Sequence, residues 1–236
     1  MGVADDSLNE AVAWKNSSLP EYNVETSNLF VVDRDAAVRQ LLEIHESNFA
    51  RAKSGVGGNW IIPLVDNSPR VGKSSFASHY LLKLPTLSEN SESECMETLS
   101  RAHIIHIILS PGQLTDCNNF EKALLEEFRG NLRANLVQYP KFLDRSRTTK
   151  DLLTSLTSVA GPVLVVLDKI GRAFKRRDLD KIQRSNIFVD FVNTVLMSWL
   201  LKKNVFLLLI GKGTFLNHVG LGLLRSLSPI LVVLSG

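Results

Sequence analysis

Residues 60–75 join an apolar run to a glycine-lysine-serine cluster, and this order of residue types indicates phosphate chemistry. The cluster fits the pattern G-x-x-x-x-G-K-[ST], in which backbone N–H groups surround phosphates, the lysine reaches the outer phosphates and the hydroxyl binds Mg²⁺. Asn67 replaces the first glycine, and asparagine also tolerates a positive φ, so the turn remains possible. We predict a nucleotide-binding loop of nine residues: Asn67, Ser68, Pro69, Arg70, Val71, Gly72, Lys73, Ser74 and Ser75.

A second apolar run, Val163–Asp168, ends in a carboxylate. In nucleotide-binding α/β proteins a buried strand carries such an aspartate to the carboxyl edge of the sheet, where it orients Mg²⁺ beside the loop hydroxyl. We therefore predict that Ser74 and Asp168 bind magnesium together. The alternative for Asp168 is a helix cap or a turn residue.

Lys169 follows Asp168 directly. Many ATPases with an extra strand between the phosphate loop and the acidic strand place a glutamate here, which polarises the attacking water. A lysine is cationic at neutral pH and does not replace that carboxylate as a general base. Hydrolysis is predicted to be slow, supported from elsewhere or absent, and we assign no catalytic residue.

Polar residues follow a later apolar run that ends at Ile210. Such positions can sense the γ-phosphate, and the alternative is a glycine-rich turn between strand and helix. The predicted sensor candidates are Lys212, Thr214 and Asn217, with His218 beside them. His103 and His106 suggest zinc, but three residues apart on a strand they point to opposite faces, so we predict no shared metal.

Apolar runs alternate with helical patterns along most of the chain, which implies right-handed crossovers and a mainly parallel sheet. We predict an α/β fold of the P-loop NTPase (RecA/AAA-like) type, with five strands and helices on both faces. The later strands are predicted at His103–Leu109, Val163–Asp168, Asn204–Ile210 and Pro229–Leu234. Residues 30–236 would form this core without a C-terminal lid, and residues 1–29 a flexible acidic arm. The serine-rich Ser88–Glu97 is predicted to be an exposed loop, and Ser185 to cap an apolar helix over Asn186–Lys203.

The composition is that of a globular protein: 236 residues, 44% hydrophobic, 22% charged, with a net charge of +3. Cys95 and Cys117 provide neither a disulfide framework nor metal-ligand spacing, which favours a reducing compartment. No apolar run is long enough to cross a membrane, and no cleavable signal peptide is visible. Two basic groups, within 129–150 and 172–184, could face a polyanion, but we favour solvated helix faces over nucleic-acid binding.

Several segments together resemble the AAA-like P-loop ATPase domain of oomycete Crinkler effectors. They are Val32–Asp35 leading into a helix with Leu41–His45, then Trp60–Phe76, then Leu167–Phe174. The resemblance extends from about Phe30 to the end of the chain. It implies secretion by a plant pathogen, entry into host cells, frequent accumulation in the host nucleus and interference with defence or cell death, with host proteins as expected partners.

The motifs thus favour a protein that binds ATP and Mg²⁺. A working ATPase is the enzymatic version of this hypothesis. The alternative is a non-catalytic interaction module on a degenerate NTPase scaffold, in which the nucleotide would serve as a structural ligand.

Overall fold

The computed structural model describes residues 12–15, 35–55, 60–65, 76–77, 80–84 and 93–211, together with the backbone of 230–233. The strands are β1 Ile61–Val65, β2 His103–Ile108, β3 Val163–Asp168, β4 Val205–Ile210 and β5 Ile230–Val233. The helices are α1 Asp35–Ser54, α2 Glu94–Ser100, α3 Phe120–Asn135, α4 Thr149–Ala160, α5 Ile170–Ala173, α6 Lys181–Phe191 and α7 Met197–Leu200. Short 3₁₀ turns span Cys117–Asn119 and Lys141–Arg145, a π-helical turn, Val192–Leu196, joins α6 to α7, and residues 76–77 and 80–84 are helical.

The strands form one parallel sheet in the order β2-β3-β4-β1-β5. The predicted fold class is confirmed, and the bounds of β2 to β5 agree with the predicted strands to within one residue at either end. Four strands, β1 to β4, are described with their side chains. β4 lies between β1 and β3, so one strand separates the strand before the predicted phosphate loop from the strand that ends in Asp168.

Successive side chains of each strand point to opposite faces of the sheet, and they belong to two hydrophobic clusters, one on each face. In β3, Val163, Val165 and Leu167 pack into the cluster covered by α3, α4, α6 and α7. Leu164 and Val166 pack into the other, which α1, α2 and the helical residues 76–77 and 80–84 cover. The predicted placement of helices on both faces is therefore confirmed, and β3, which is apolar up to its last residue Asp168, is fully buried, as expected of a strand covered on both sides.

β1 and β4 pair only at their carboxyl ends, through Leu64 with Leu209 and Val65 with Ile210. Continued backwards, this register places Pro63 opposite the carbonyl of Leu207, and proline has no N–H to donate. The imidazole of His45, on α1, donates to that carbonyl instead, at 3.0 Å.

Asn48, one turn further along α1, bonds the backbone at the start of β1. Its Oδ1 accepts from the N–H of Ile61 at 3.1 Å, and its Nδ2 donates to the carbonyl of Ile61 at 2.6 Å. Because this side chain meets both backbone groups of Ile61, α1 supplies hydrogen bonds that β4 would give to an ordinary central strand. The strand that precedes the predicted phosphate loop is thus held partly by a helix.

Two sequence predictions are wrong. Part of the predicted loop Ser88–Glu97 is helix α2, whose N-cap is Ser93: its Oγ accepts from the N–H of Met96 at 3.1 Å. Cys95, Met96 and Leu99 are buried, so this short helix is stabilised by packing beside α1. The second error is Ser185, which lies inside α6 and donates to the carbonyl of Lys181 at 2.9 Å.

The cap of α6 is Asp180. It forms a capping box with Gln183, in which the carboxylate accepts from the backbone N–H of Gln183 and the amide oxygen of Gln183 accepts from the N–H of Asp180.

Residues 12–15 lie within the predicted arm and contact the core. Trp14 forms an antiparallel bridge with Leu136, stacks on His103 with ring centroids 4.6 Å apart, and donates its indole N–H to the carbonyl of Ala160 at 3.3 Å. The arm is therefore anchored at Trp14. The boundary between arm and core, and the rest of residues 1–29 apart from 12–15, stay predictions.

Candidate functional site

The carboxyl ends of four neighbouring strands are aligned. Val65 pairs with Ile210, Ile210 with Asp168, and Asp168 with Ile108. The N–H of Gly211 also donates to the carbonyl of Val65 at 2.8 Å, so β1 and β4 leave the sheet side by side. At roughly 4.8 Å per strand, the end of β1 lies about 10 Å from the end of β3. Each predicted site segment follows a strand that ends at this edge of the sheet.

Asp168 is the last residue of β3 and is 5% exposed. By strand alternation its side chain shares a face with Leu164 and Val166, which is the face that carries Phe76, Ala77 and Tyr80. Its Oδ1 accepts from the backbone N–H of Lys169 at 2.6 Å. The carboxylate therefore stabilises the turn that follows β3, as in the alternative interpretation of Asp168, and it also lies at the edge where the nucleotide hypothesis needs it.

Lys169 has a left-handed backbone, with φ 61° and ψ 32°. Within the described part of the chain it is the only residue other than glycine with a positive φ. This conformation costs a side chain with a Cβ about 1 kcal/mol. It is held by the bond to Asp168 and by the N–H of Arg172, which donates to the carbonyl of Lys169 at 2.8 Å. These two bonds thus hold Lys169 in its left-handed conformation directly after β3.

His106 contacts Asp168 from the neighbouring strand β2. Its Nε2 lies 3.3 Å from Oδ2 of the carboxylate, and its side chain is 30% exposed. An ionised carboxylate only accepts hydrogen bonds, so Nε2 carries the proton. From the sequence, His106 was considered only as a metal ligand, and this contact was missed. The signal that could have found it is the register, which sets His106 two residues before the partner of Asp168.

His103 lies on the other face of β2, where it stacks on Trp14, and desolvation lowers its pKa. Ile105 and Ile107 share its face, while Ile104 shares that of His106. The prediction that the two histidines point to opposite faces of the strand is confirmed.

The other predicted site residues lie outside the described residues. These are the loop residues Asn67, Ser68, Pro69, Arg70, Val71, Gly72, Lys73, Ser74 and Ser75, and the sensor candidates Lys212, Thr214 and Asn217 with His218. The structure describes their flanks. The loop comes after β1, and the sensor segment comes after β4. The helical residues 76–77 and 80–84 come after the loop and pack on the Asp168 face.

Among the described residues no group of three or more His, Cys, Asp or Glu side chains could hold a metal. Mg²⁺ does not need such a group, because it keeps several waters and takes one or two protein oxygens together with phosphate oxygens. A single buried carboxylate at the sheet edge therefore suits Mg²⁺, with Asp168 as one ligand or as the residue that orients a bound water.

Parts of the two basic groups are used in internal contacts. The guanidinium of Arg129 donates to the carbonyls of Asp144 and Ser146, at 3.0 and 2.8 Å. Arg133 pairs with Asp144 at 2.9 Å, and Arg176 bonds Asp178 at 2.7 Å. These contacts favour a structural explanation for these three arginines. In the described part of the chain, no helix is both long and apolar enough to cross a bilayer.

No protein-family model matches the chain, and no curated protein matches it. Among solved structures it is similar to Cdc6p from Pyrobaculum aerophilum, at 15% identity and a TM-score of 0.41, over 96% of this chain and 50% of that one. It is also similar to the Aeropyrum pernix ORC2 protein in its ADPNP–ADP complexes, at 13% identity and a TM-score of 0.42, over 83% of this chain and 47% of that one. The chain spans about half the length of these two proteins. None of these comparisons connects it to Crinkler effectors.

Proposed function

We propose that this protein binds a nucleoside triphosphate together with Mg²⁺ at the carboxyl edge of its sheet. The observation that carries the proposal is the position of Asp168. This buried carboxylate ends β3 in register with the ends of β4 and β1, and β1 runs into the sequence Gly72-Lys73-Ser74. In α/β sheets, ligands bind at this edge.

Each predicted site segment would have a distinct task. Backbone N–H groups of Asn67–Ser75 and the ammonium of Lys73 would hold the phosphates, and the helix after the loop would add the partial positive charge of its N-terminus. Ser74 and Asp168 would hold Mg²⁺, which neutralises phosphate charge when bound. Lys212, Thr214 and Asn217 follow β4 in the sequence, and β4 is the neighbour of β1 in the sheet. These three residues would contact the terminal phosphate.

We further infer that turnover is slow. A carboxylate that activates water contributes about 10²–10⁴-fold to a reaction of this kind. The residue after Asp168 is a lysine in a constrained left-handed turn, and a cation there would attract phosphate oxygens without taking a proton from water. The scaffold therefore favours holding a nucleotide over hydrolysing it.

Thermal unfolding with the non-hydrolysable triphosphate ADPNP tests binding. With Mg²⁺ and ligand at a hundred times the dissociation constant, mass action stabilises the native state by about 2.7 kcal/mol. For a chain of this size the midpoint should rise by about 5–10 °C. Lys73→Ala should abolish the rise. Lys122→Ala, which removes an exposed lysine of α3, is the matched control and should behave like the parent. A parent without any shift, or equal shifts in Lys73→Ala and parent, would refute nucleotide binding.

Phosphate release from ATP tests turnover. The parent and Lys169→Gln should stay near background, because neither supplies a general base. Lys169→Glu should release phosphate at least about tenfold faster, since it adds a carboxylate while keeping a side chain with the same backbone cost. Asp168→Ala in the Lys169→Glu background should remove the gain. A parent that already matches Lys169→Glu would show that the lysine does not limit hydrolysis.

The effector role and a place in the host cell or host nucleus stay expectations of the sequence resemblance. No described contact bears on them. The non-catalytic interaction module is compatible with slow turnover and differs from the proposal only in what the bound nucleotide is for.

A further inference from the structure

Two donors, one in the turn after β3 and one on β2, fix the carboxylate of Asp168. The turn after β3 holds Oδ1 through the N–H of Lys169, at 2.6 Å, and β2 presents the Nε2–H of His106 to Oδ2, at 3.3 Å. The two donors approach different oxygens of the same group. Together they restrict rotation of the carboxylate about its Cβ–Cγ bond, which either donor alone would leave freer.

His106 is itself held on a rigid element. β2 pairs with β3 along its whole length, with His106 opposite Val166. On the outer side of this edge strand, Nδ2 of Asn131 on α3 donates to the carbonyl of His106 at 2.8 Å. A ring on a backbone fixed from both sides can set the orientation of its partner, which a mobile surface ring cannot do.

We propose that His106 is a positioning residue of the magnesium site: it orients the carboxylate of Asp168 so that this group meets the ion or its water in one geometry. The proposal rests on the function proposed above. Donors behind a metal-binding group fix its orientation, and their loss typically lowers metal affinity by about 10–100-fold. His106 is not a ligand in this assignment, because its Nε2 carries the donated proton and Mg²⁺ prefers oxygen ligands.

The competing explanation is that the contact only stabilises the fold. A structural contact and a positioning contact differ in what their loss changes. Loss of a structural contact lowers stability and affects nucleotide binding equally with and without Mg²⁺. Loss of a positioning contact raises the Mg²⁺ concentration that binding requires and leaves metal-free binding unchanged.

Two amide substitutions separate these outcomes. In His106→Gln the amide nitrogen lies near the position of Nε2, so the donor to Asp168 is kept. In His106→Asn the nitrogen lies near the position of Nδ1, too far from Oδ2 for a hydrogen bond, since Nε2 itself is already at 3.3 Å. Both variants keep a polar group at a half-buried site, so both should fold. His103→Asn is the matched control, because it changes the other histidine of β2 on the opposite face.

Calorimetric titration with ADPNP, at a series of Mg²⁺ concentrations and in EDTA, gives the measurement. Mg²⁺ should raise the affinity for ADPNP in every variant that binds it. We expect His106→Asn to need about tenfold more Mg²⁺ than the parent to reach half of this increase, with its ADPNP affinity in EDTA unchanged. His106→Gln and His103→Asn should stay within about threefold of the parent. The proposal is overturned if His106→Asn keeps the Mg²⁺ requirement of the parent, or loses affinity equally in EDTA. A parent that binds no ADPNP at any Mg²⁺ concentration overturns the proposed function, and the role of His106 with it.

Discussion

His45 is a buried imidazole whose hydrogen bonds define its protonation. Nε2 faces the carbonyl of Leu207, which only accepts, so Nε2 carries the proton. Nδ1 therefore accepts the hydroxyl proton of Tyr80, at 2.9 Å. Burial lowers the pKa of His45 to about 4, with the bond to Leu207 opposing that change. The neutral ring thus links α1, β4 and the helical residues 80–84.

This pKa predicts a pH-dependent stability. The unfolded chain protonates His45 near pH 6.5, and the folded chain only near pH 4, so the unfolded state binds more protons between these values. Stability is full above pH 6.5 and is lost as the pH falls through this window. Between pH 7 and pH 4.5 the loss from His45 should be about 2 kcal/mol.

Urea unfolding of the parent and of His45→Gln at both pH values measures this loss. Glutamine can keep a donor near the position of Nε2 but does not titrate. The parent should therefore lose about 2 kcal/mol more than the variant on acidification, and its carboxylates, which both proteins share, cancel in the comparison. Equal losses in the two proteins would contradict the assignment.

At the scale of elements, hydrophobic periodicity predicts the strands of the sheet. β3 is an uninterrupted apolar run ending in Asp168, and both its bounds and its buried position agree with that pattern. Alternation of strands with helices predicted the parallel pairing, because parallel neighbours need a crossover between them. Asp168 could be placed at the site because all strands of a parallel sheet end at the same edge.

The wrong predictions concern elements that are stabilised by tertiary contacts. α2 is short and polar, and it is helical because Cys95 and Leu99 pack on the α1 face while Lys53 of α1 pairs with Glu94. Its local signal was the cap Ser93 before an acidic first turn, which a serine-rich context hides. The capping box of Asp180 and Gln183 marks the start of α6 in the sequence. The prediction from apolar residues alone placed the start of the helix later.

The hydrogen bonds of β1 could not be predicted from sequence. Proline inside a central strand argues against that strand, because it removes a ladder bond. Here His45 and Asn48 supply donors from a neighbouring helix, so Pro63 is tolerated. The contact of His106 with Asp168 was missed because it joins residues 62 positions apart, which no local pattern records.

For the molecule as a whole, a single sheet separates two hydrophobic clusters. The three tryptophans differ in how deeply they are buried. Trp60 and Trp199 belong to the core, at 3% and 0% exposure. The indole N–H of Trp199 donates to the hydroxyl of Thr149 at 2.8 Å, as a fully buried indole should. Trp14 is half-buried on the anchored part of the arm, where it packs against the edge of the core, stacks on His103 and donates one indole bond. A few backbone bonds and the bond from Nζ of Lys15 to the carbonyl of Ala134 hold the same segment.

Segments held by few contacts open locally more often than the core, so Trp14 should respond to solvent independently of the other two. Acrylamide quenching of native fluorescence should show an accessible and an inaccessible population in the parent. Trp14→Phe should remove the accessible population at a cost of about 1 kcal/mol in unfolding free energy, because the core is left intact. Trp199→Phe is the control and should keep the accessible population. If Trp14→Phe retained the quenchable fraction, that fraction would belong to Trp60 or Trp199, and local opening at Trp14 would not be its source.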